Sequence, residues 1–346
     1  MTEEKLFKPE DITIYVPFYN TWQTIPPCID GIIKQSVQPG RMLLIDDGSE
    51  PPFAGSKEKL EVIRAPENKG LASARNTALE NCVTPLIASL DSDVVPEKDW
   101  LENLLEAMNS NQNISGAGGK LSEYYQDTLG DRWRAVHMAQ HWGDKAFLNP
   151  RFIYGANNIF KTEALRSIGG YSASLRTNYE DMSLSETLYA KGHSLFYTPS
   201  AKAYHLRRDT EESILQGFWK WYHAKGLTAG EFNSGDGLID RIERVNFGIF
   251  RYRYDMDLNA ERKDFLELDS LIPWVFCALD LQLANKTANI QVPEFPSTKL
   301  FSRLPENSRG LFLKIIPETK KPSRKETWHD EYINKFNLCL HKYDWK

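Results

Sequence analysis

The sequence predicts an α/β fold, a mostly parallel sheet flanked by helices, with a mainly helical C-terminal extension. Three observations predict it. Short β-rich apolar runs alternate with stretches of helical periodicity over residues 12–108, the pattern of βαβ units. The run at residues 85–90 is apolar almost throughout, as a strand covered on both faces must be. Beyond Gly226, helical patterns alternate with Pro-rich loops. A chain of 346 residues has room for two domains. We place them at 1–226 and 227–346.

The elements follow in order. Residues 12–16 form a first strand, ended by Pro17. Residues 25–35 carry apolar side chains at helical spacing. Residues 41–45 form a second strand, stopped by Asp46-Asp47-Gly48-Ser49, and residues 60–64 a third. Residues 70–82 read as a helix with Leu71, Ala74, Ala78 and Leu79 on one stripe. The fourth strand, 85–90, precedes a helix over 100–108. Residues 116–119, Gly-Ala-Gly-Gly, read as a turn-rich stretch, and 133–141 as helix. Residues 152–154 and 158–160 read as strand pieces around Gly155. A helix over 180–191 closes at Gly192, a residue type common after helix ends. Residues 195–197 and 201–204 read as extended, and 214–225 as a Trp-rich helix. Pro-rich loops are expected at 293–296 and 317–322.

Composition excludes several classes. Aromatic residues make up 12% of the chain, too many for a disordered protein. A net charge of −5 lacks the basic excess of a nucleic-acid partner. The four cysteines form no CxxC pair, so they read as buried thiols rather than a zinc site or disulfide framework. Residues 1–9 have no apolar core, unlike a secretory signal. The longest apolar run, 271–279, ends at Asp280, short of a membrane span. The expectation is a soluble, cytoplasmic protein, with peripheral contact to the inner face of a membrane left open. No P-loop motif occurs.

In an open parallel sheet, ligands bind beyond the carboxyl ends of the strands. Three polar clusters follow strands there: Pro17-Phe18-Tyr19-Asn20, Asp46-Asp47-Gly48-Ser49 and Asp91-Ser92-Asp93. Carboxylates gathered on one edge repel unless something positive is bound. Asp91 and Asp93 are spaced to reach one cation, and oxygen ligands suit Mg²⁺ or Mn²⁺. Gly70 opens a helix with Arg75 about a turn and a half inside, a setting suited to a pyrophosphate.

These motifs, Val16-Pro-Phe-Tyr-Asn20, Ile45-Asp-Asp-Gly-Ser49, the run 68–76, Asp91-Ser-Asp93 and Tyr179-Glu-Asp-Met182, occur in the order seen in glycosyltransferase family 2. The resemblance covers roughly residues 11–226. It implies a GT-A fold and an inverting transfer of one sugar from a nucleotide-sugar donor, UDP by default, with a divalent cation. The acceptor would be a hydroxyl of a glycan, a lipid-linked saccharide or a protein. The resemblance places Pro17 and Tyr19 against the nucleobase. It gives Asp46 and Asp47 the base or ribose, and puts Lys69 and Arg75 near the nucleotide. Asp91 and Asp93 match the metal-and-diphosphate motif, joined by His205. Asp181 matches the catalytic base. Asn157, Glu180, Trp219 and Trp221 are expected on the sugar or acceptor side. Processive synthases carry Gln-x-x-Arg-Trp. Gln216-Gly-Phe-Trp-Lys220-Trp221 departs from it, which favours single-sugar addition. The competing readings are a nucleotidyltransferase, which would carry a Gly-rich basic loop after strand one, and an inactive nucleotide-sugar binding protein.

Overall fold

A computed structural model describes residues 6–53, 60–111, 113–291, 303–316 and 326–343. The chain divides into two compact units, residues 1–125 with 139–207 and residues 126–138 with 208–346. This division differs from the expected boundary at 226, which falls inside a helix. That helix, 211–228, carries Ile214, Leu215, Phe218 and Trp219 into the core of the second unit.

The first unit is built on one sheet. Its strands are β1 (Ile12–Phe18), β2 (Arg41–Asp46), β3 (Leu60–Arg64), β4 (Leu86–Leu90), β5 (Val94–Pro96), β6 (Ile114–Glu123), β7 (Phe147–Leu148), β8 (Asn157–Lys161) and β9 (Ser194–His205). Its helices are α1 (Ile25–Ile33), α2 (Leu71–Asn81), α3 (Trp100–Ser110), α5 (Thr162–Ser167) and α6 (Glu180–Ala190). The strand order is β3-β2-β1-β4-β8-β6-β9-β5, with β7 beside β9. Strands β3, β2, β1, β4, β6 and β9 run one way, while β5, β7 and β8 oppose them. The sheet is thus mostly parallel, as expected.

Alternation along the strands sets the layers. Ile12, Ile14 and Val16 join a core with α1 and α3, and Tyr15 joins one with α2, α5 and α6. Burial on both faces is why these strands read as continuous apolar runs. Residues 116–119 are not a turn but the middle of β6. A Cβ at Gly116 would sit 2.2 Å from the Phe160 ring, and one at Gly119 2.1 Å from the Ala201 carbonyl. Close strand packing, rather than chain reversal, calls for glycine there. Residues 152–154 are irregular, and the two extended pieces after Gly192 are one strand, β9.

The second unit is helical. It holds α4 (Leu129–His137), α7 (Glu211–Thr228), α8 (Gly235–Arg241), a π-helical turn (Ile242–Phe247), α9 (Gly248–Asn259), α10 (Leu266–Ala288), α11 (Glu306–Ile315) and α12 (Trp328–Lys342). The apolar run 271–279 is the buried centre of α10. Among the described residues no helix is long and apolar enough to cross a membrane. All four cysteines are free and buried. The loops expected at 293–296 and 317–322 lie outside the described residues.

Polar groups inside this unit are paired with care. Asp280 Oδ1 accepts from Trp219 Nε1 at 2.8 Å, and Oδ2 from Arg241 Nε at 3.2 Å and Asn246 Nδ2 at 3.0 Å. Trp219 is therefore a core residue of the second unit, not the acceptor-side residue expected. Trp221, half-buried on the same helix, packs edge-on against Tyr222.

A second buried cluster joins His137, Asp257 and Asp269, whose nearest nitrogen and oxygen atoms lie within 4.8 Å of one another. Arg253 Nη1 points at His137 Nδ1 at 3.4 Å, so Nδ1 accepts and Nε2–H donates to Asp257 Oδ2 at 2.7 Å. A metal-bound imidazole needs the opposite arrangement, with its second nitrogen donating. Burial holds His137 neutral, lowering its pKa to about 4 despite Asp257. Asp269 Oδ1 accepts from Trp133 Nε1 at 2.9 Å, whereas Oδ2 receives no donor among the described residues. Burial, then the adjacent Asp257, raises the Asp269 carboxyl.

A carboxyl raised in the folded state stabilises most below its unfolded value of about 3.9, and that contribution is lost as pH rises through the folded one. Asp269→Asn removes the titrating group. The melting temperature of the variant minus that of the wild type should therefore grow steadily from about pH 5 to about pH 8. A difference that stays constant across that range would show that Asp269 is ionised throughout.

Candidate active site

Parallel register brings the polar ends of three neighbouring strands together. Phe18 pairs with Asp46 across β1 and β2, and Tyr15 with Ser89 across β1 and β4. The chain after each strand then turns at the same edge, between β1 and β4, where the strand order reverses direction. A cleft of about 440 Å³ opens there, lined by Pro17, Tyr19, Asp47, Gly70, Asp91 and Asp93 among others. Pro17 is buried at the end of β1, and Tyr19 is 47% exposed on the rim.

The two aspartates at the end of β2 have separate tasks. Asp46 is fully buried: Oδ1 accepts from the Ser49 amide at 2.8 Å and Oδ2 from Arg64 Nη1 at 3.1 Å. It holds the turn and is not among the cleft-lining residues. Asp47 reaches the cleft and collects the 68–70 loop, accepting from Asn68 Nδ2, the Lys69 amide and the Gly70 amide at 2.9, 3.0 and 2.7 Å. Gly70 then caps α2 at φ +97°, where a Cβ would lie 2.6 Å from the Arg176 carbonyl. Lys69 takes part through its backbone, its side chain exposed and off the cleft.

Asp91 and Asp93 border the cleft with side chains 29% and 31% exposed. Asp93 Oδ2 lies 3.1 Å from His205 Nε2, and Glu123 Oε2 lies 3.0 Å from His205 Nδ1. The register of β6 with β9 sets Glu123 opposite His205, 82 residues along the chain. Burial alone would lower the His205 pKa, but Asp93 and Glu123 together raise it to about 9. The Asp93 carboxyl is lowered: burial opposes its ionisation, and His205 more than offsets that.

Asp181 lies in the first turn of α6. Asn178 and Tyr179 are both left-handed, at φ +62° and +69°, and turn the chain into α6. Two such non-glycine residues in succession store strain of order 1–3 kcal/mol each, a device concentrated at functional sites. The turn lays Asp181 Oδ2 on the Gly155 amide at 3.0 Å and Oδ1 on the Met182 amide at 2.7 Å. Glu180 is buried, and its Oε2 has no partner among the described residues. Burial and mutual repulsion raise the Glu180 carboxyl. Burial, partly offset by the Gly155 amide, raises that of Asp181.

Two expected residues lie elsewhere. Asn157 is wholly buried in β8, its amide spent on Trp100 Nε1, the Lys120 carbonyl and the Ala201 carbonyl. It holds three elements together and does not face a sugar. Arg75 is only 1% exposed and is not on the cleft wall. Its guanidinium contacts Ser89, Gly155 and Asp91 instead.

Residues 13–180, just under half of the chain, match the family model described as glycosyl transferase family 2. The pre-mycofactocin glycosyltransferase of Mycobacterium tuberculosis is 30% identical over 208 residues, which cover 57% of this chain and 43% of that protein. Glycosyltransferase GlyA of Streptococcus pneumoniae is 26% identical over 241 residues, 62% of this chain and 33% of its own length. Glycosyltransferase AglE of Haloferax volcanii is 22% identical over 219 residues, covering 60% of this chain and 70% of its own. The chain thus spans less than half the length of the first two. A solved structure, GalNAc-T7 with UDP, GalNAc and Mn²⁺, aligns with 59% of this chain and 47% of its own at 16% identity and a TM-score of 0.45, too slight a likeness to argue from.

Replacing Asp46 by Ala should lower stability by about 1–3 kcal/mol, since it strands the Ser49 amide and Arg64. Replacing Asp47 by Ala should instead release the Lys69 and Gly70 amides. Hydrogen exchange should quicken at both, with a smaller fall in melting temperature. Unchanged protection at Lys69 and Gly70 would mean the loop does not depend on Asp47.

Proposed function

We propose that this chain is an inverting glycosyltransferase. In this reading it moves one sugar from a nucleotide-sugar donor to a hydroxyl of a glycan acceptor. The observation that carries the reading is the placement of the Asp181 carboxylate. It is half-buried, fixed by two backbone amides, and joined through Gly155 and Arg75 to Asp91 at the cleft edge. Each carboxylate oxygen keeps a lone pair for an acceptor hydroxyl.

Pro17 and Tyr19 would pack on the nucleobase, and Asp47 would meet the base or ribose beside the α2 N-terminus. UDP is the donor nucleotide we assign. Asp91 and Asp93 would hold a divalent cation, with His205 through Nε2. The donor set fits such an ion: two half-open carboxylates and an imidazole whose other nitrogen is held by a carboxylate. When bound, the cation offsets charge growing on the nucleoside-diphosphate leaving group. His205 would give up its Nε2 proton on binding it.

Asp181 supplies the remaining chemistry. An acceptor hydroxyl is a poor nucleophile until its proton leaves, and a placed general base contributes about 10²–10⁴-fold. Burial raises the Asp181 carboxyl and strengthens it as a base. Asp181→Asn keeps an acceptor oxygen for the Gly155 amide but cannot take the proton. Transfer should fall by at least ~100-fold, about 3 kcal/mol of barrier, with UDP affinity and melting temperature near wild type. Turnover within a few-fold of wild type would remove Asp181 from the mechanism and direct attention to Glu180.

A further inference from the structure

We infer that Arg75 is a positioning residue that locks the donor side of the cleft to the acceptor side, rather than a ligand of the nucleotide. The inference rests on the glycosyltransferase reading and assigns within it a residue that never touches substrate.

Both terminal nitrogens of the guanidinium are engaged by the protein, while the buried Nε has no partner among the described residues. Nη1 donates to Ser89 Oγ at 3.0 Å and to the Gly155 carbonyl at 2.6 Å. Nη2 donates to Asp91 Oδ1 at 2.9 Å and lies 3.8 Å from Glu180 Oε1. The Tyr171 ring lies 5.6 Å away and closes the site from one side. Gly155 is the hinge of the arrangement: its carbonyl accepts from Arg75 while its amide donates to Asp181 Oδ2 at 3.0 Å. One planar fork thus sets Asp91, which borders the donor diphosphate, and Gly155, which seats the base. The distance between the metal side and the base is fixed through a single group.

Two features make the residue types specific. A Cβ at Gly155 would stand 2.6 Å from Arg75 Nη2, so any side chain there pushes against the guanidinium. Lysine would keep a positive charge beside Asp91 and Glu180, but a point charge does not bridge two acceptors in fixed directions. The charge balance and the bridge are therefore separable by mutation.

The test is a double-mutant cycle on the full chain, read as sugar transfer to acceptor and, separately, as UDP affinity with Mn²⁺. Arg75→Lys should lower kcat by ~10²-fold, the scale of a misplacement near 1 Å, with the donor KM changed only a few-fold. In the Asp181→Asn background the same change should cost less than about 3-fold, because the base it positions is already lost. Gly155→Ala, which deletes no side chain of the network but displaces the guanidinium, should reproduce the kcat loss and the non-additivity. It stands in for Arg75→Lys if that variant melts before assay. Equal losses from Arg75→Lys and Gly155→Ala in both backgrounds would overturn the inference and leave Arg75 a purely structural ion. A loss of UDP affinity matching the loss of kcat would return it to the nucleotide. If Asp181→Asn alone leaves transfer intact, the glycosyltransferase reading fails first, and the cycle identifies that failure by its own arm.

Discussion

Like charge crowded at one sheet edge is the constraint on which the first unit depends. Parallel strands end at the same side, so Asp47, Asp91 and Asp93 gather at one cleft, and Arg75 links Asp91 to Glu180 and, through Gly155, to Asp181 of α6. In water such groups would separate; here the sheet register forbids it. Each carboxylate is instead given a specific counterpart. Asp46 has Arg64, Asp47 has three donors of the 68–70 loop, Asp93 has His205, and Asp91 has Arg75. Where no full counterpart exists, at Glu180 and Asp181, burial raises the carboxyls, and at Glu180 the adjacent Asp181 raises it further. Those are the groups the proposed chemistry needs as proton acceptors.

The same constraint explains the local costs the fold tolerates. Two left-handed residues precede α6, and a buried guanidinium stands beside a glycine that admits no side chain. Removing one partner of a buried ion pair is far more damaging than the pair is stabilising, so the Arg75–Asp91 pair is weak evidence of net stability. The second unit shows the same pairing of buried polar groups. Asp280 is saturated by Trp219, Arg241 and Asn246, and Asp269 is held against Asp257.

What was legible in the sequence was local. β1, β2, β4 and the helices beside them follow from periodicity and turn residues, and the cleft follows from strand ends. The motif at Asp91 and Asp93 and the helix start at Glu180 were visible for the same reason. The pairing of Glu123 with His205 was not, because it arises from strand register between distant segments. The glycines of β6 read as a turn because sequence does not show which backbone will press against Phe160 or Ala201. Asn157 and Trp219 read as sugar-facing residues for a related reason. An amide or an indole looks the same in sequence whether its polar atoms face a ligand or, as here, Trp100 and Asp280. Arg75 lies on a motif, and only burial reveals that it faces inward.

On the proposed reading, the carboxylates at this edge receive a nucleoside diphosphate only together with a divalent cation. Calorimetric titration of UDP into the full chain, once with Mn²⁺ and once with EDTA, tests it most directly. Asp91 and Asp93 otherwise meet the diphosphate as like charges, so affinity should fall at least ~10-fold without the metal, as expected for unit charges a few ångströms apart in a partly buried site. Equal affinity in both titrations would show that no cation bridges these carboxylates to the diphosphate.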